Sequence, residues 1–398
     1  MNSTEINLHE IISKAAKLQR IEDSEAYVLS RIREDYLSEL SDVASQIRDH
    51  LKGKQISFSP KVFIPLTRMC RDYCGYCTFR ADPSDLEHLY LSKEQILDLA
   101  KKAESLGCTE ALFTLGERPE LKYKEAKIWL NDRGYKTTLE YLSDMTQMVM
   151  TQTSLFPHAN PGTMSTREME NLKPSNPSMG LMLESTSEEL YKSGGPHELA
   201  PSKRPVARLK TIQIAGELGI PFTTGLLIGI GETPKDRIDS LLAIRKMNEK
   251  YGHIQEVIIQ NFRAKPRTPM ENFPDAISVE MMWTVAVSRL ILGPNMNIQV
   301  PPNLSISNFE KYVSVGINDW GGVSPLTIDH VNPEAPWPLI KELKSKTESQ
   351  GYELVPRLPV YPEFFVNNKD FLSDTMCAQL NSMSDEFGYV KWGLDRYE

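Results

Sequence analysis

From about residue 56 onward, short apolar runs alternate with amphipathic stretches of helical period, and the alternation persists for roughly 250 residues. The apolar runs fall at 62–66, 110–115, 180–183, 222–228, 256–261 and 297–300. Helical periodicity occupies 93–105, 139–151, 206–218, 235–251 and 279–292 between them. Strands separated by helices cannot pair as tight hairpins, so a parallel α/β fold is expected. Polar residues also collect just after the strand ends, at 70–77, Gly116 and Glu117, Glu184, 229–232 and Arg263. In a TIM-type (βα) barrel the loops on that face build the active site, which favours a barrel over an open sheet.

The flanks read differently. Leu8, Ile11, Ile12 and Ala15 recur at helical spacing, as do Ile32, Tyr36, Leu40, Val43 and Ile47, so residues 1–55 are expected to form a helical N-terminal extension that acts as a packing cap. The barrel is expected over 56–320. The Pro-, Trp- and Tyr-rich segment 321–398, with helical periodicity at 337–349 and 373–387, is expected as a C-terminal extension that contributes to or covers the barrel. A net charge of −8 gives no general attraction to phosphate backbones or anionic lipid, which argues against nucleic acid as a partner. No run reaches about 18 apolar residues, and the first residues lack the basic-then-apolar pattern of a signal peptide. A cytoplasmic protein is expected, with no membrane association.

Five cysteines, an odd number in a chain of 398 residues, do not make a disulfide framework. Three of them fall within eight residues, as Cys70-Arg-Asp-Tyr-Cys74-Gly-Tyr-Cys77. Random placement would give CxxxCxxC in roughly one such chain per thousand. Thiolates are soft ligands suited to zinc or iron–sulfur sites. A structural zinc ion would want a fourth ligand, and the nearest candidates, His88 and Cys108, lack typical zinc-ligand spacing. Three ligands without a fourth suggest a 4Fe-4S cluster with one iron left open. Cys108 and Cys377 read as small buried residues, and His158 and His197 as loop or core histidines.

A CxxxCxxC loop after a first strand resembles the radical S-adenosylmethionine (SAM) superfamily, and residues 60–260 carry further likenesses. The resemblance implies that Cys70, Cys74 and Cys77 hold the cluster and that SAM, a co-substrate, chelates the open iron. Reduction of SAM then gives methionine and a 5′-deoxyadenosyl radical. Gly116 and Glu117, in Leu112-Phe-Thr-Leu-Gly116-Glu117-Arg118, resemble the GGE motif that receives the SAM ammonium, although Leu115 replaces the usual first glycine. Glu184 matches the carboxylate that meets the SAM ribose. Arg208 best matches the guanidinium that pairs with the SAM carboxylate, with Arg204 as the alternative. Gly225-Leu-Leu227-Ile-Gly229-Ile-Gly231-Glu232 fits the GxIxGxxE pattern near the adenine, with Leu for Ile; Tyr76 matches an aromatic beside the same base.

Longer segments resemble one family within the superfamily. These are 70–79, 113–120, 260–266, and Gly316-Ile-Asn318-Asp319-Trp320-Gly-Gly-Val-Ser-Pro325, which runs on to Asp329-His330-Val-Asn332-Pro-Glu334. They are similar to the first, G-type subunit of 7,8-didemethyl-8-hydroxy-5-deazariboflavin synthase (the CofG family) over about residues 57–365, which implies a role in making the deazaflavin of coenzyme F(420). The implied activity is that of a lyase. The radical takes a benzylic hydrogen from 5-amino-5-(4-hydroxybenzyl)-6-(D-ribitylimino)-5,6-dihydrouracil, and the ring closes with loss of ammonia. Implied partners are a second, CofH-like subunit that makes this adduct and a low-potential electron donor such as ferredoxin or flavodoxin. A phenol, a uracil and a polyol call for amide, acidic and imidazole partners beside an aromatic wall. Asn261, Arg263, Asn318, Asp319, Trp320, His330 and Asn332 are the expected pocket residues. Competing readings are the partner subunit, a menaquinone-pathway enzyme, a biotin-synthase relative, or a non-catalytic iron–sulfur protein.

Overall fold

The computed structural model describes residues 3–31, 34–366 and 370–397. Among the described residues, nine strands form one parallel sheet: β1 Gln55–Thr67, β2 Glu110–Leu115, β3 Phe156–Asn160, β4 Ser178–Gly180, β5 Phe222–Ile228, β6 Ile254–Asn261, β7 Asn297–Gln299, β8 Asp319–Val323 and β9 Glu353–Pro356. The first eight pair in chain order. Because β1 pairs with both β2 and β8, the sheet closes into an eight-stranded barrel. The expected barrel is therefore the observed one. Three of its nine strands (β3, β8 and β9) were not among the expected apolar runs, and β8 lies across the expected 320/321 boundary.

The helices are α1 Ser3–Ala16, α2 Asp23–Leu29, α3 Leu37–Lys52, α4 Lys93–Ser105, α5 Lys124–Asn131, α6 Thr138–Gln152, α7 Thr166–Leu172, α8 Pro205–Glu217, α9 Pro234–Tyr251, α10 Ser278–Leu292, α11 Ile340–Ser349 and α12 Asp374–Met383. Reciprocal capping boxes start α4, α6, α7 and α9, among others: Ser92 with Gln95, Thr137 with Glu140, Ser165 with Glu168, and Thr233 with Asp236. The expected stretch 337–349 begins three residues late, and Pro338 disfavours helical backbone at Trp337 before it.

The N-terminal helices pack on the outside of the barrel. Leu40, Val43, Ala44 and Ile47 of α3 join the main apolar core together with Ile11 and Ile12 of α1. Arg48 donates to the carbonyl of Ile317 (2.9 Å), and Arg245 of α9 donates to that of Ile21 (2.7 Å). Ile32, part of the expected helical pattern, lies outside the described residues.

The C-terminal segment closes the bottom. β9 pairs with the first residues of β1, Gln55 with Glu353 through Phe58 with Pro356. The chain then crosses beneath the barrel, where the carbonyl of Pro359 accepts from Ser178 Oγ (3.0 Å) and Gln255 Nε2 (3.1 Å). A second apolar cluster, including Phe156, Leu358, Val360, Phe364 and Leu380, seals this end. Only the face at the strand C-termini is left for a site.

Candidate active site

A cavity of about 350 Å³ enters the barrel from that face. The loop carrying Cys70, Cys74 and Cys77 lies at its rim, and all three cysteines line it. Backbone hydrogen bonds hold the loop on several sides: Arg71 N donates to Glu117 O (2.8 Å), Tyr73 N to Leu199 O (2.9 Å) and Gly75 N to Pro196 O (2.8 Å). Gly116 is required by contact. A Cβ there would lie 1.9 Å from Met69 O and 2.8 Å from Cys70 Cβ. The retained glycine of the expected motif is thus the one that lets the cysteine loop sit against the end of β2.

The three thiols at the rim are soft donors of the kind that zinc and iron–sulfur centres take. Burial pushes the Cys70 thiol up to about 12, and Cys74 is raised as well. These sulfurs therefore stay protonated and poorly nucleophilic unless a metal displaces the proton. The Glu117 amide donates to Cys70 Sγ (3.1 Å), the kind of bond that tunes cluster potential.

The expected SAM residues divide into two groups. Tyr76, Gly116, Glu117, Glu184 and Arg208 line the cavity. Glu117 is buried and accepts from Thr163 N (3.0 Å) and Thr163 Oγ1 (2.6 Å), and a Cβ on Gly162 would overlap its carboxylate. Burial raises its pKa. Its neighbour Arg118, at φ 36°, makes a two-pronged bond to Glu168 (2.8 Å each), which fixes the turn after β2. Glu184 follows β4 at φ 66° and pairs with Lys203. Tyr76 Oη shares a hydrogen bond with His197 Nε2 (2.9 Å). Arg208 is buried and donates to the carbonyls of Ser202 and Met182, whereas Arg204 is exposed beside Glu188.

Gly225, Gly229 and Glu232 are not on the cavity wall. Glu232 turns back to accept from the amides of Gly229 and Ile230 (2.9 Å each) and from Arg237 Nε (2.8 Å). A Cβ on Gly225 would strike Ile258 O at 2.2 Å. These residues shape the turn after β5 and the β5–β6 contact.

The expected pocket residues divide likewise. Asn261, Arg263, His330 and Asn332 line the cavity, but Asn318, Asp319 and Trp320 do not. Asn318 Oδ1 accepts from Arg289 Nη2 and from Ile298 N (2.9 Å each). Trp320 packs edge-on against Phe309 and donates to Thr347 Oγ1 (3.0 Å). Asp319 is fully buried, paired with Ser57 and Arg357. The reason is β8 itself: pleating sends Asp319 inward below the cavity and Trp320 outward to the helices. Asp329 organises the pocket turn instead, accepting from Asn303 Nδ2 (3.0 Å) and Asn332 Nδ2 (2.8 Å).

Sequence reasoning missed several wall residues. Trp337 stacks on Phe63 (ring centroids 5.1 Å apart, 15° between planes), supplying the aromatic wall. Lys203 pairs with Glu184, and its position in Pro-Ser-Lys before α8 gave no signal. Lys61, Glu110, His158, Glu256 and Gln299 line the deep end. They are visible only once β1, β2, β3, β6 and β7 are set side by side. His158 is thus the core alternative of the loop-or-core expectation, an inward barrel residue on β3.

Charges at the deep end are buried and paired. Lys61 Nζ meets Glu110 Oε1 (2.8 Å); burial alone would raise Glu110, but Lys61, His158 and Arg357 hold it at about 2. Glu256 is raised to about 7 by burial, against the pull of Arg357. Burial lowers His158 to about 4, and His253, on Ile212 O, also to about 4. Both imidazoles fold neutral, whereas in the unfolded chain they take up protons below about pH 6.5. Their stabilising effect is complete above that pH and is lost as pH falls toward 4. Denaturation midpoints should fall between pH 6.5 and 4, His158 alone accounting for on the order of 2–3 kcal/mol; Glu256, which folds protonated, gains over the same window and offsets about one of the two imidazoles. A flat profile across that window would contradict the burial.

Residues 64–244 match the family described as the radical SAM superfamily. The chain is 48% identical over 336 residues to 7,8-didemethyl-8-hydroxy-5-deazariboflavin synthase of Methanopyrus kandleri, a match covering 84% of this chain and all of that protein. It is also 48% identical to FO synthase of Mycobacterium tuberculosis over 373 residues, 90% of this chain but only 44% of that longer protein. Among solved structures, the FeFe-hydrogenase maturase HydG from Carboxydothermus hydrogenoformans superimposes with a TM-score of 0.72 at 21% identity, covering 96% of this chain and 87% of that one. This last likeness concerns the fold alone.

Proposed function

Since the chain belongs to the radical SAM superfamily and, within it, to the 7,8-didemethyl-8-hydroxy-5-deazariboflavin (FO) synthases, we propose that it closes the deazaflavin ring of the hydroxybenzyl–ribityl–diaminouracil adduct and expels ammonia. One observation carries the reading. The cavity with three cysteines at its rim is walled by residues holding buried polar atoms that have no partner: Asn261 Oδ1, His330 Nε2 and Trp337 Nε1. Buried donors and acceptors left unpaired are costly, and a bound molecule with complementary groups satisfies them.

Cys70, Cys74 and Cys77 would hold a 4Fe-4S cluster, and the three-thiol donor set at the cavity rim and the Glu117 amide on Cys70 fit one. When bound, the cluster would supply the electron for splitting SAM into methionine and a 5′-deoxyadenosyl radical able to take the benzylic hydrogen, so that SAM serves overall as the two-electron oxidant that ring closure with loss of ammonia requires. Glu117 would accept the SAM ammonium. Arg208 would meet its carboxylate, Glu184 with Lys203 the ribose hydroxyls, and Tyr76 the adenine. Gly225, Gly229 and Glu232 would act by shaping the turn near that base. Asn261, Arg263, His330 and Asn332 would meet the substrate, with the Phe63–Trp337 stack as its aromatic wall. A second, H-type subunit would make the adduct; the mycobacterial FO synthase has more than half its length outside the matched region. A low-potential ferredoxin or flavodoxin would supply electrons. No helix of the described residues is long and apolar enough to cross a membrane.

The test is anaerobic. Protein reconstituted with iron and sulfide is reduced with dithionite and given SAM with and without the adduct. 5′-Deoxyadenosine together with fluorescent deazaflavin is expected. 5′-Deoxyadenosine alone would point to another radical SAM substrate, and neither product from cluster-loaded protein would overturn the reading.

A further inference from the structure

The interior of a TIM barrel is ordinarily filled by layers of branched apolar side chains. Here the inward positions at one depth are Lys61, Glu110, His158, Thr223, Glu256 and Gln299, and all six line the cavity. The strand register brings them to a common level: Lys61 lies opposite Glu110, and Thr223 opposite Glu256. Together they make a polar floor, about 20 Å along β1 below Thr67 and hence far from the cysteines.

Half of this floor is already satisfied. Arg357, entering from below, donates to Asp319 (2.6 and 3.0 Å) and to Glu256 Oε1 (2.9 Å), and Tyr361 Oη also donates to Glu256 Oε1 (2.8 Å). The other half keeps spare valence. Among the described residues, Lys61 Nζ has the single acceptor Glu110, His158 uses only Nδ1 (on Ser178 Oγ, 2.7 Å), and the Gln299 amide has no partner.

Three glycines hold space for these three groups. A Cβ on Gly322 would lie 2.2 Å from Lys61 Cε, one on Gly321 1.8 Å from Gln299 Nε2, and one on Gly180 2.9 Å from His158 Nε2. Each polar side chain therefore sits where its facing residue has no side chain. This is a shaped site, and the charges say what it takes. Lys61 is matched by Glu110 and Arg357 by Asp319, so the floor has no surplus cation to hold an anion. Mixed donors and acceptors spread around a ring suit a run of hydroxyls, each able to donate and accept.

Building on the ring-closure reading above, we propose that this floor, through Lys61, His158 and Gln299, seats the neutral hydroxylated chain of the substrate. Held by its tail at the bottom, the molecule presents its aromatic portion halfway up, beside Phe63 and Trp337. The reacting carbon is then set toward the cysteine face. Recognition at a distance from the reacting atoms fixes depth and thereby reactivity.

The test uses the cluster-loaded enzyme with three substrates: the adduct, an analogue with methyl in place of the ribityl chain, and an analogue phosphorylated at the chain terminus. Wild type should turn over the adduct with a KM at least about 10-fold below that of either analogue. Gln299→Leu and His158→Asn should each raise the KM for the adduct about 10-fold and leave the KM for SAM unchanged. Neither should affect the methyl analogue. As a readout apart from turnover, the fluorescence-titrated Kd of the ribityl-bearing tricyclic product should rise in the same variants. Wild type that makes product, with variants that weaken both substrates alike or neither, would overturn the floor assignment alone. Equal use of the phosphorylated chain would overturn the charge argument. Wild type that makes no product from the adduct would overturn the ring-closure reading and this proposal with it.

Discussion

Cys74→Ala is expected to give a folded protein that retains little iron and cleaves SAM at least about 100-fold more slowly than wild type. The magnitude follows from position. Changes to groups that merely orient metal ligands cost 10–100-fold, and loss of one of three ligands exceeds that. The fold should tolerate it, because the loop is held by backbone bonds from Arg71, Tyr73 and Gly75 rather than by the thiol. Iron content, the visible absorbance of the reconstituted protein and 5′-deoxyadenosine yield together check the result. Cys108→Ala is the control: Cys108 is buried at the foot of β2, away from the cavity wall, and should leave all three unchanged. Full SAM cleavage by the Cys74 variant would remove the cysteine triplet from the chemistry.

The cysteine loop was legible because its chemistry is local: three ligands within eight residues declare themselves before any fold is known. Glu117 and Glu184 stand just past apolar runs, where a polar group marks the working face of a barrel, whereas Arg208, inside α8, was named on the family resemblance alone. The unexpected strands failed on the same logic. β3 reads Phe-Pro-His-Ala-Asn and β8 Asp-Trp-Gly-Gly-Val. Their inward residues are polar or absent because they form the floor of a cavity, so the alternation that signals a strand is missing. The floor draws its residues from separate strands, and its Arg357 comes from beyond the barrel. Nothing in a linear window joins Lys61 to Arg357.

Asp319 is where reading and structure part most sharply, and the difference is measurable. Read from sequence, Asp319→Ala should weaken substrate binding; in the structure it should cost stability. The side chain is fully buried, and Arg357 spans it with two hydrogen bonds. Removing one member of a buried pair strands the other charge, typically at 3–5 kcal/mol. The low end of that range is expected here. Glu256, pushed toward neutrality by burial and by the Asp319 charge, already touches Arg357 and can ionise to take over as its counterion. Two comparisons isolate this. Adding Glu256→Gln to Asp319→Ala should remove the substitute and lower the denaturation midpoint further. Adding Arg357→Leu should restore part of the loss, because no buried cation is then left unpaired. The folded fraction of Asp319→Ala should keep the wild-type KM for SAM, whereas Asn261→Ala should alter substrate binding at nearly unchanged stability. An Asp319 variant of full stability but raised substrate KM would return that residue to the pocket and leave Arg357 without its assigned structural role.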